Sequence, residues 1–364
     1  MTPADSLDRL RLARTDGVGP VTYRRLLGRY PTAAEAIDAL PGLARAGGKA
    51  GPPVTPPAAL ARREMDALHK LGGRMLFLDG PGYPAALAAF DIAPPVLSVL
   101  GNVALLQERA VALVGARNAS INGQRMAEIL AADLAKSGLV VVSGMARGID
   151  AAAHEGALRT GRTIAAVAGG VDVVYPPENA DLQRRVAEGG AVVAEAPLGT
   201  APQARHFPRR NRVIAGLSLG VVVIEAAPRS GSLITAQIAL DENRAVFAVP
   251  GSPLDPRCRG SNNLLREGAT LTESAADVLG NLPPLPGPAP RGFADDAPGF
   301  DGPTVDLRAA AAAIMAVLSH SPTSVDELVR RCQLSVHAVQ GALMALELNH
   351  RVQMLPGNQV SLIA

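Results

Sequence analysis

The sequence is short of several things that would each have pointed to a function. Its 364 residues include no Trp, ten other aromatics, two Cys and three Lys (Lys49, Lys70, Lys136). Cys258 and Cys332 supply neither a disulfide framework nor a four-ligand zinc site. Met1 to Arg14 contains no apolar signal-peptide core, so the expectation is a reduced, cytoplasmic protein. No run reaches the roughly 18 apolar residues needed to span a bilayer, which argues against a membrane partner. With a net charge of +2 the chain is no polycation, and any electrostatic argument must rest on local clusters. Arginine dominates lysine, 32 to three, which reads first as codon bias and only second as phosphate recognition.

The motifs of common enzymes are also missing. The one Gly-Lys pair, Gly48-Lys49, is followed by Ala50, so there is no Walker site for ATP. Gly216-Leu217-Ser218-Leu219-Gly220 matches the hydrolase string, but it ends a helical stretch and opens a strand, the reverse of a nucleophile elbow. The six His show no metal-ligand spacing, and no G-x-G-x-x-G follows the first strand, so neither a metal nor NAD is expected. No cofactor and no catalytic residue is assigned.

The 48% hydrophobic content nevertheless supports a proper core, and 364 residues suffice for two or three domains. Pro/Gly-rich stretches at Gly47 to Pro57 and Leu282 to Pro303 divide the chain. The expected domains are a helical domain over 1–70, a sheet domain over 71–281, a linker over 282–303 and a winged helix over 304–364. Short apolar runs at Val111 to Val114, Leu139 to Val142, Thr163 to Ala168, Ala191 to Ala194, Gly220 to Ile224 and Ala245 to Val249 alternate with helical patterns. That alternation predicts an α/β fold, a doubly wound, Rossmann-like, mostly parallel sheet that binds ligands outside the carboxyl ends of its strands. Arg74 to Leu106 is expected to extend the sheet. In the first domain, Thr15 to Pro20 reads as the glycine turn of a helix-hairpin-helix, able to point amides at a phosphate, or as a plain interhelical turn. In the last, the third helix offers His337 and Gln340 but no Arg or Lys before Arg351, which favours a protein-contact or intramolecular role over groove binding.

The strand ends are rich in small residues and arginine. Gly115-Ala116-Arg117 follows the first strand, and Ser143-Gly144-Met145-Ala146-Arg147-Gly148 the second. Pro228-Arg229-Ser230-Gly231-Ser232 follows the fifth. Small residues let amides approach a ligand, and a helix start there favours an anion. Asp150 fits a helix cap or an arginine-orienting partner better than a general base. Between Glu195 and Glu225 there is no carboxylate, while Arg205, His206, Arg209, Arg210 and Arg212 crowd Phe207 and Asn211. Such a cluster wants an external anion, and its Phe suits a stacked base, so a nucleic-acid strand is the expected ligand. The alternative is that some Arg pair with distant acids and that Phe207 is core.

These blocks, with Tyr175-Pro176-Pro177-Glu178-Asn179, Ser230 to Ala236 and Val246 to Gly251, resemble the bacterial DNA-processing protein A family (DprA, also called Smf) from about Leu76 to Leu279. The resemblance extends to an N-terminal SAM-like or helix-hairpin-helix domain and a C-terminal winged helix. It implies a non-catalytic homodimer that binds single-stranded DNA in natural transformation and recombination. It further implies loading of the RecA recombinase on strands coated by single-strand-binding protein, so contact with the latter is indirect. It maps a phosphate-contacting arginine onto Arg117 and a basic loop with a stacking Phe onto Arg205 through Arg212. Two departures stand out: Ala168-Gly169-Gly170 replaces a Gly-x-Gly, and Cys258 replaces a Ser ahead of Gly260-Ser261-Asn262. The competing readings are a Rossmann-like nucleoside-monophosphate phosphoribohydrolase, whose P-G-G-x-G-T-x-x-E motif is absent, and a scaffold for an acidic protein.

Overall fold

The structure, a computed structural model, describes residues 1–46, 53–283, 306–349, 351–355 and 358–363. The expected linker lies almost wholly outside the described residues, as does the side chain of His337. Two compact units are present: Glu64–Ala289, and Met1–Arg63 together with Pro290–Ala364.

In chain order the helices are α1 (Pro3–Ala13), α2 (Pro20–Arg29), α3 (Ala33–Ala46), α4 (Ala58–Lys70), α5 (Ala85–Ala88), α6 (Ile121–Lys136), α7 (Ile149–Ala157) and α8 (Ala180–Gly189). They continue as α9 (His206–Leu217), α10 (Gly231–Asp241), α11 (Arg259–Arg266), α12 (Ala275–Asn281), α13 (Leu307–Val317), α14 (Val325–Cys332) and α15 (Val336–Leu348). The strands of the larger unit are β1 (Arg74–Phe77), β2 (Val96–Gly101), β3 (Ala110–Gly115), β4 (Val140–Ser143), β5 (Thr163–Ala166), β6 (Ala191–Ala194), β7 (Gly220–Ile224), β8 (Ala245–Ala248) and β9 (Thr270–Leu271).

These nine strands form one sheet in the order β1-β2-β6-β5-β4-β3-β7-β8-β9. From β6 to β9 all neighbours are parallel, while β1 and β2 extend the edge antiparallel, as expected for Arg74 to Leu106. The parallel strands are mostly apolar because helices cover both faces. Val111 and Leu113 of β3, Val141 of β4 and Val222 and Ile224 of β7 pack with Leu130 and Leu134 of α6 and Ile149 and Ala153 of α7. Leu182 and Val186 of α8 pack on Ala165 and Val192. Burying each such Leu, Ile or Val side chain contributes about 1.5–3 kcal/mol. The chain leaves β3 toward β4, β5 and β6, then returns to β7 on the other side of β3, and that reversal opens a crevice at the carboxyl ends.

In the smaller unit, α13, α14 and α15 pack with a sheet of β10 (Thr323–Ser324), β11 (Val352–Leu355) and β12 (Gln359–Leu362), the winged-helix arrangement. Val339, Ala342, Leu343 and Leu346 of α15 face that core. Its other buried residues, including Met344, Ala345 and Leu348, accompany contacts to the N-terminal helices. Gly17 has φ +84°, and a Cβ there would lie 2.7 Å from the Leu348 carbonyl oxygen. The Thr22 hydroxyl donates to the Glu347 carboxylate, and Asn349 Nδ2 donates to Ala44 O at 3.3 Å. The hairpin's glycine turn thus meets α15 rather than standing open for a phosphate. This contact agrees with an intramolecular role for the third winged-helix element.

Candidate functional site

Turns after β3, β4 and β5 enclose a hollow of about 250 Å³ whose wall includes Arg117, Gly144, Arg147, Tyr175, Phe207 and Arg210. The turns hold one another in place. Gly148 has φ +75°, and a Cβ there would lie 2.6 Å from the Arg117 carbonyl oxygen. The second turn therefore abuts the first, and Ile149 N donates to Ala116 O at 3.2 Å. Asn179 Nδ2 donates to the carbonyl oxygen of buried Met145 at 2.8 Å, fixing the second turn from outside.

Arg210 is the buried strut of this assembly, 7% exposed. Its Nη1 donates to Gly144 O and, at 3.1 Å, to Ala166 O, while Nε donates to Asn211 Oδ1 at 3.1 Å. The single guanidinium therefore ties the ends of β4 and β5 to α9. Asp150, in the first turn of α7, faces it and accepts from Ala146 N at 3.3 Å. Burial pushes the Asp150 carboxyl upward from its usual pKa, and the charge of Arg210 opposes that shift. Asp150 is thus the arginine partner expected of it. His154, one turn further along, is fully buried with Nδ1 2.7 Å from Thr163 Oγ1. Burial first, then the positive charge of Arg210, lowers its pKa to about 3.

Several residues expected at the ligand make contacts within the fold. Gly115 is small because a Cβ would overlap Ile224 O, so it serves strand packing. The Ser143 hydroxyl is buried and donates to Leu113 O at 2.6 Å. Arg212 is paired with Glu195, and Asn211 Nδ2 donates to Gly231 O at 3.2 Å. The view of four Arg without acidic partners is therefore corrected: Asp150 and Glu195, distant in sequence, serve Arg210 and Arg212. Ser230, Gly231 and Ser232 do not line the hollow; the two hydroxyls lie 2.8 Å apart at the start of α10. Ser218 is buried and donates to Ile214 O at 2.9 Å, which fits the rejection of a nucleophile elbow.

Arg117, Arg147, Arg205 and Arg209 remain exposed. Arg117 and Arg147 stand in the wall of the hollow, and Arg205 and Arg209 flank Phe207 in the chain. Burial, then the charges of Arg205 and Arg209, holds the His206 imidazole below its usual pKa, a sign of positive potential at this rim. Phe207 is half-buried. The guanidinium carbons of Arg117 and Arg210 lie 5.1 and 5.7 Å from its ring centre, and the Tyr175 ring meets it edge-on at 5.8 Å. Tyr175, not assigned from the sequence, is the more exposed aromatic of the pair at 44%. The hollow's carboxylate, Glu178, meets Arg147 at 3.4 Å.

Elsewhere, Glu225, Asp255 and Cys258 approach one another, but Glu225 accepts from Ser120 N at 2.8 Å and from its hydroxyl, and Asp255 is paired with Arg257. Cys258, where the family pattern has Ser, packs against Gly251, whose backbone is held on both sides by the Asn262 amide. Gly169 lines the hollow, and a Cβ there would lie 2.5 Å from Thr200 O, so the altered glycine pattern still serves a close backbone approach. No helix among the described residues is long and apolar enough to cross a membrane.

The site sits in a chain with clear relatives. The family described as DNA recombination-mediator protein A matches residues 74–283. A DprA-like N-terminal HHH domain matches residues 3–67, and the DprA winged helix domain residues 298–358. Protein Smf of a Synechocystis species is 36% identical over 308 residues, covering 77% of each chain. DNA processing protein DprA of Bacillus subtilis is 40% identical over 223 residues, 61% of this chain and 75% of that one. The X-ray structure of DNA processing protein A from Streptococcus pneumoniae superposes with a TM-score of 0.63 at 35% identity, covering 78% of this chain and 99% of that chain. The Helicobacter pylori protein, whose structure was described for its single-stranded DNA binding mode, gives 0.52 at 28% identity, covering 58% of this chain and 95% of that chain. With its hairpin domain, arginine-rimmed sheet and winged helix all accounted for, the chain belongs to the DNA recombination-mediator protein A family.

Proposed function

We propose that this protein binds single-stranded DNA along the carboxyl edge of its sheet, without cutting it, and presents the strand for loading of the RecA recombinase. The observation that supports this reading best is the arginine-rimmed hollow. Arg117 and Arg147 are exposed cations in a wall that also holds two aromatic rings, and the exposed Arg205 and Arg209 flank one of those rings, Phe207, in the chain. Guanidinium groups meet phosphates, and aromatic surface accepts bases regardless of sequence. Gly144, Gly148, Arg210, Asn211 and Arg212 shape the site from below, and Phe207 anchors the Arg117 side chain. The wall's carboxylate, Glu178, is committed to Arg147, a group set better suited to holding a strand than to activating a water.

The single-stranded DNA binding described for the Helicobacter pylori relative supports the same ligand. RecA loading, action on strands coated by single-strand-binding protein, homodimerisation and a cytoplasmic location come from the family resemblance and complete the proposal.

The test is a fluorescence-anisotropy titration of single- and double-stranded oligonucleotides at two salt concentrations. It is followed by RecA filament formation on a coated strand with and without the protein. Preference for the single strand, and faster filament formation, are expected. Equal affinity for the duplex, or a cleaved oligonucleotide, would overturn the reading.

A further inference from the structure

Within the smaller unit, the glycine turn between α1 and α2 can point amides at a phosphate, yet an anion of the chain itself already stands there. Glu347, in the last turn of α15, accepts through Oε2 from the Thr22 hydroxyl, and its Oε1 would lie 3.5 Å from a Cβ on Gly19. Gly19 is the N-cap of α2 and fully buried Thr22 its third residue, so the carboxylate sits at the positive end of that helix. Neither a side-chain cap nor an acid in the first turn of α2 competes for the place. Arg24, Arg25 and Arg29 follow in a helix that carries no acid at all. Arg25 Nη1 is buried with no hydrogen-bond partner among the described residues, and the Glu347 charge favours the cation against the cost of burying it.

The source of that carboxylate is informative. α15 is the third helix of the winged helix, the position from which helix-turn-helix proteins read a groove. It brings a glutamate and no Lys or Arg, which suits a place built for an anion and not a groove lined with phosphates. We propose that α15 is an internal plug: Glu347 holds the place of a backbone phosphate, and its withdrawal opens on α2 a second nucleic-acid contact, one for duplex DNA. A duplex fits because it presents phosphates with its bases stacked inside. α2 leaves no ring open to an unpaired base: Tyr23 is fully buried, and Tyr30 lies beneath Arg29, 5.8 Å from its guanidinium carbon. Plug and duplex exclude each other, since a Cβ on Gly17 would already lie 2.7 Å from the Leu348 carbonyl oxygen and no strand can pass between the turn and α15.

The test uses the full chain with a blunt-ended, mixed-sequence duplex, and an all-thymidine strand measured in parallel. Glu347→Ala should bind the duplex about tenfold more tightly than the unaltered protein, within the usual range for coupled sites. One added phosphate contact should steepen its salt slope by about 0.9. Amides of α2 and α15 should exchange faster in the same variant, while α13 and α14 keep their protection. Adding Arg25→Gln should cancel the gain with that protection still in place. Asp326→Ala, which removes an exposed acid from α14 in the same unit, should leave duplex affinity as it was. Single-strand affinity should be the same in every variant. Unchanged duplex affinity or unchanged exchange in Glu347→Ala, or a gain that survives Arg25→Gln, would overturn the plug. An equal gain in Asp326→Ala, or an equal rise for the single strand, would reduce the effect to net charge and overturn it as well.

Discussion

Gly144 has no side chain because Arg210 fills the place where one would stand. A Cβ built on Gly144 would overlap Arg210 Nη1 and lie 2.7 Å from Asp150 Oδ2. The small residue at this turn, expected to let a ligand approach, lets the protein's own guanidinium approach instead. The same cation then reaches the carbonyl oxygens of two strand ends, so the rim of the hollow is held by a charge that is itself withdrawn from solvent.

Gly144→Ala should therefore act as a core lesion. Displacing Arg210 leaves a buried guanidinium poorly served and two strand-end carbonyls without their donor, a loss of roughly 3 kcal/mol. At about 2–4 °C per kcal/mol for a unit of this size, Tm should fall by roughly 6–12 °C. Gly280→Ala, on a helix with nothing within 4 Å of the added carbon, is the matched control and should not lower Tm. Equal melting of the two variants would contradict the strut.

Acid should weaken the sheet unit through His154. Its folded pKa of about 3 lies below the ordinary 6.5, so the folded state disfavours the proton that the unfolded chain accepts. Its stabilisation is complete above about pH 6.5 and is lost as pH falls toward 3, at about 1.4 kcal/mol per unit. Raised Asp150 changes stability in the opposite sense, while Asp181, Asp255 and Asp277, held below the usual carboxylate range by hydrogen bonds and, for the first two, by neighbouring arginines, matter only at lower pH. Between pH 6.5 and 5, urea midpoints should drop by the equivalent of about 2 kcal/mol. The drop should shrink in His154→Gln, and a flat profile in the unaltered protein would refute the assignment.

What was legible in the sequence follows from how local each signal is. Val140 to Val142 and Val221 to Val223 read as strands because buried parallel strands are apolar on both faces, and the wing strands were readable from the turn between them. From the sequence alone, the strand-end rule placed Arg117 and Arg147 at the same edge of the sheet, and both stand in the wall of the hollow. The buried surroundings of Arg210 and Arg212 were not legible, because Asp150 and Glu195 reach them only through the fold. Tyr175 escaped for a related reason: its ring meets Phe207 from another segment, and nothing near it in sequence announces the contact. The two-residue strand Thr323–Ser324 was too short to show a period.

The contact between Gly17 and Leu348 makes the hairpin and α15 one structural unit. An alanine at Gly17 would combine an unfavourable positive φ with a carbonyl oxygen 2.7 Å from its Cβ, for a loss of about 1–3 kcal/mol. Since the chain has two compact units, a single melting temperature would blur the effect. Hydrogen exchange resolves it. Amides of α2 and α15 should exchange faster together in Gly17→Ala, while those of β3, β4 and β7 keep their protection. Faster exchange in α2 alone would show that the contact does not couple the two elements.

The arginines of the rim should separate by salt dependence. If Arg117, Arg147, Arg205 and Arg209 each meet a phosphate, the single-strand slope of log affinity against log salt is about −0.7 for each, or roughly −3 in all. Affinity then falls about 50-fold between 50 and 200 mM salt. Removing Arg205 and Arg209 together should flatten the slope by about 1.4 and leave Tm unchanged, since both side chains are exposed. Arg117→Ala should flatten it by about 0.7, with an added salt-independent loss because Phe207 loses the cation lying 5.1 Å from its ring centre. Arg212→Ala should do the reverse, lowering Tm by removing the partly buried pairing of Arg212 with Glu195 while barely changing the slope. An equal change in slope for Arg212→Ala and Arg209→Ala would mean that the pairing with Glu195 gives way to the strand, and the division between rim and support would fall with it.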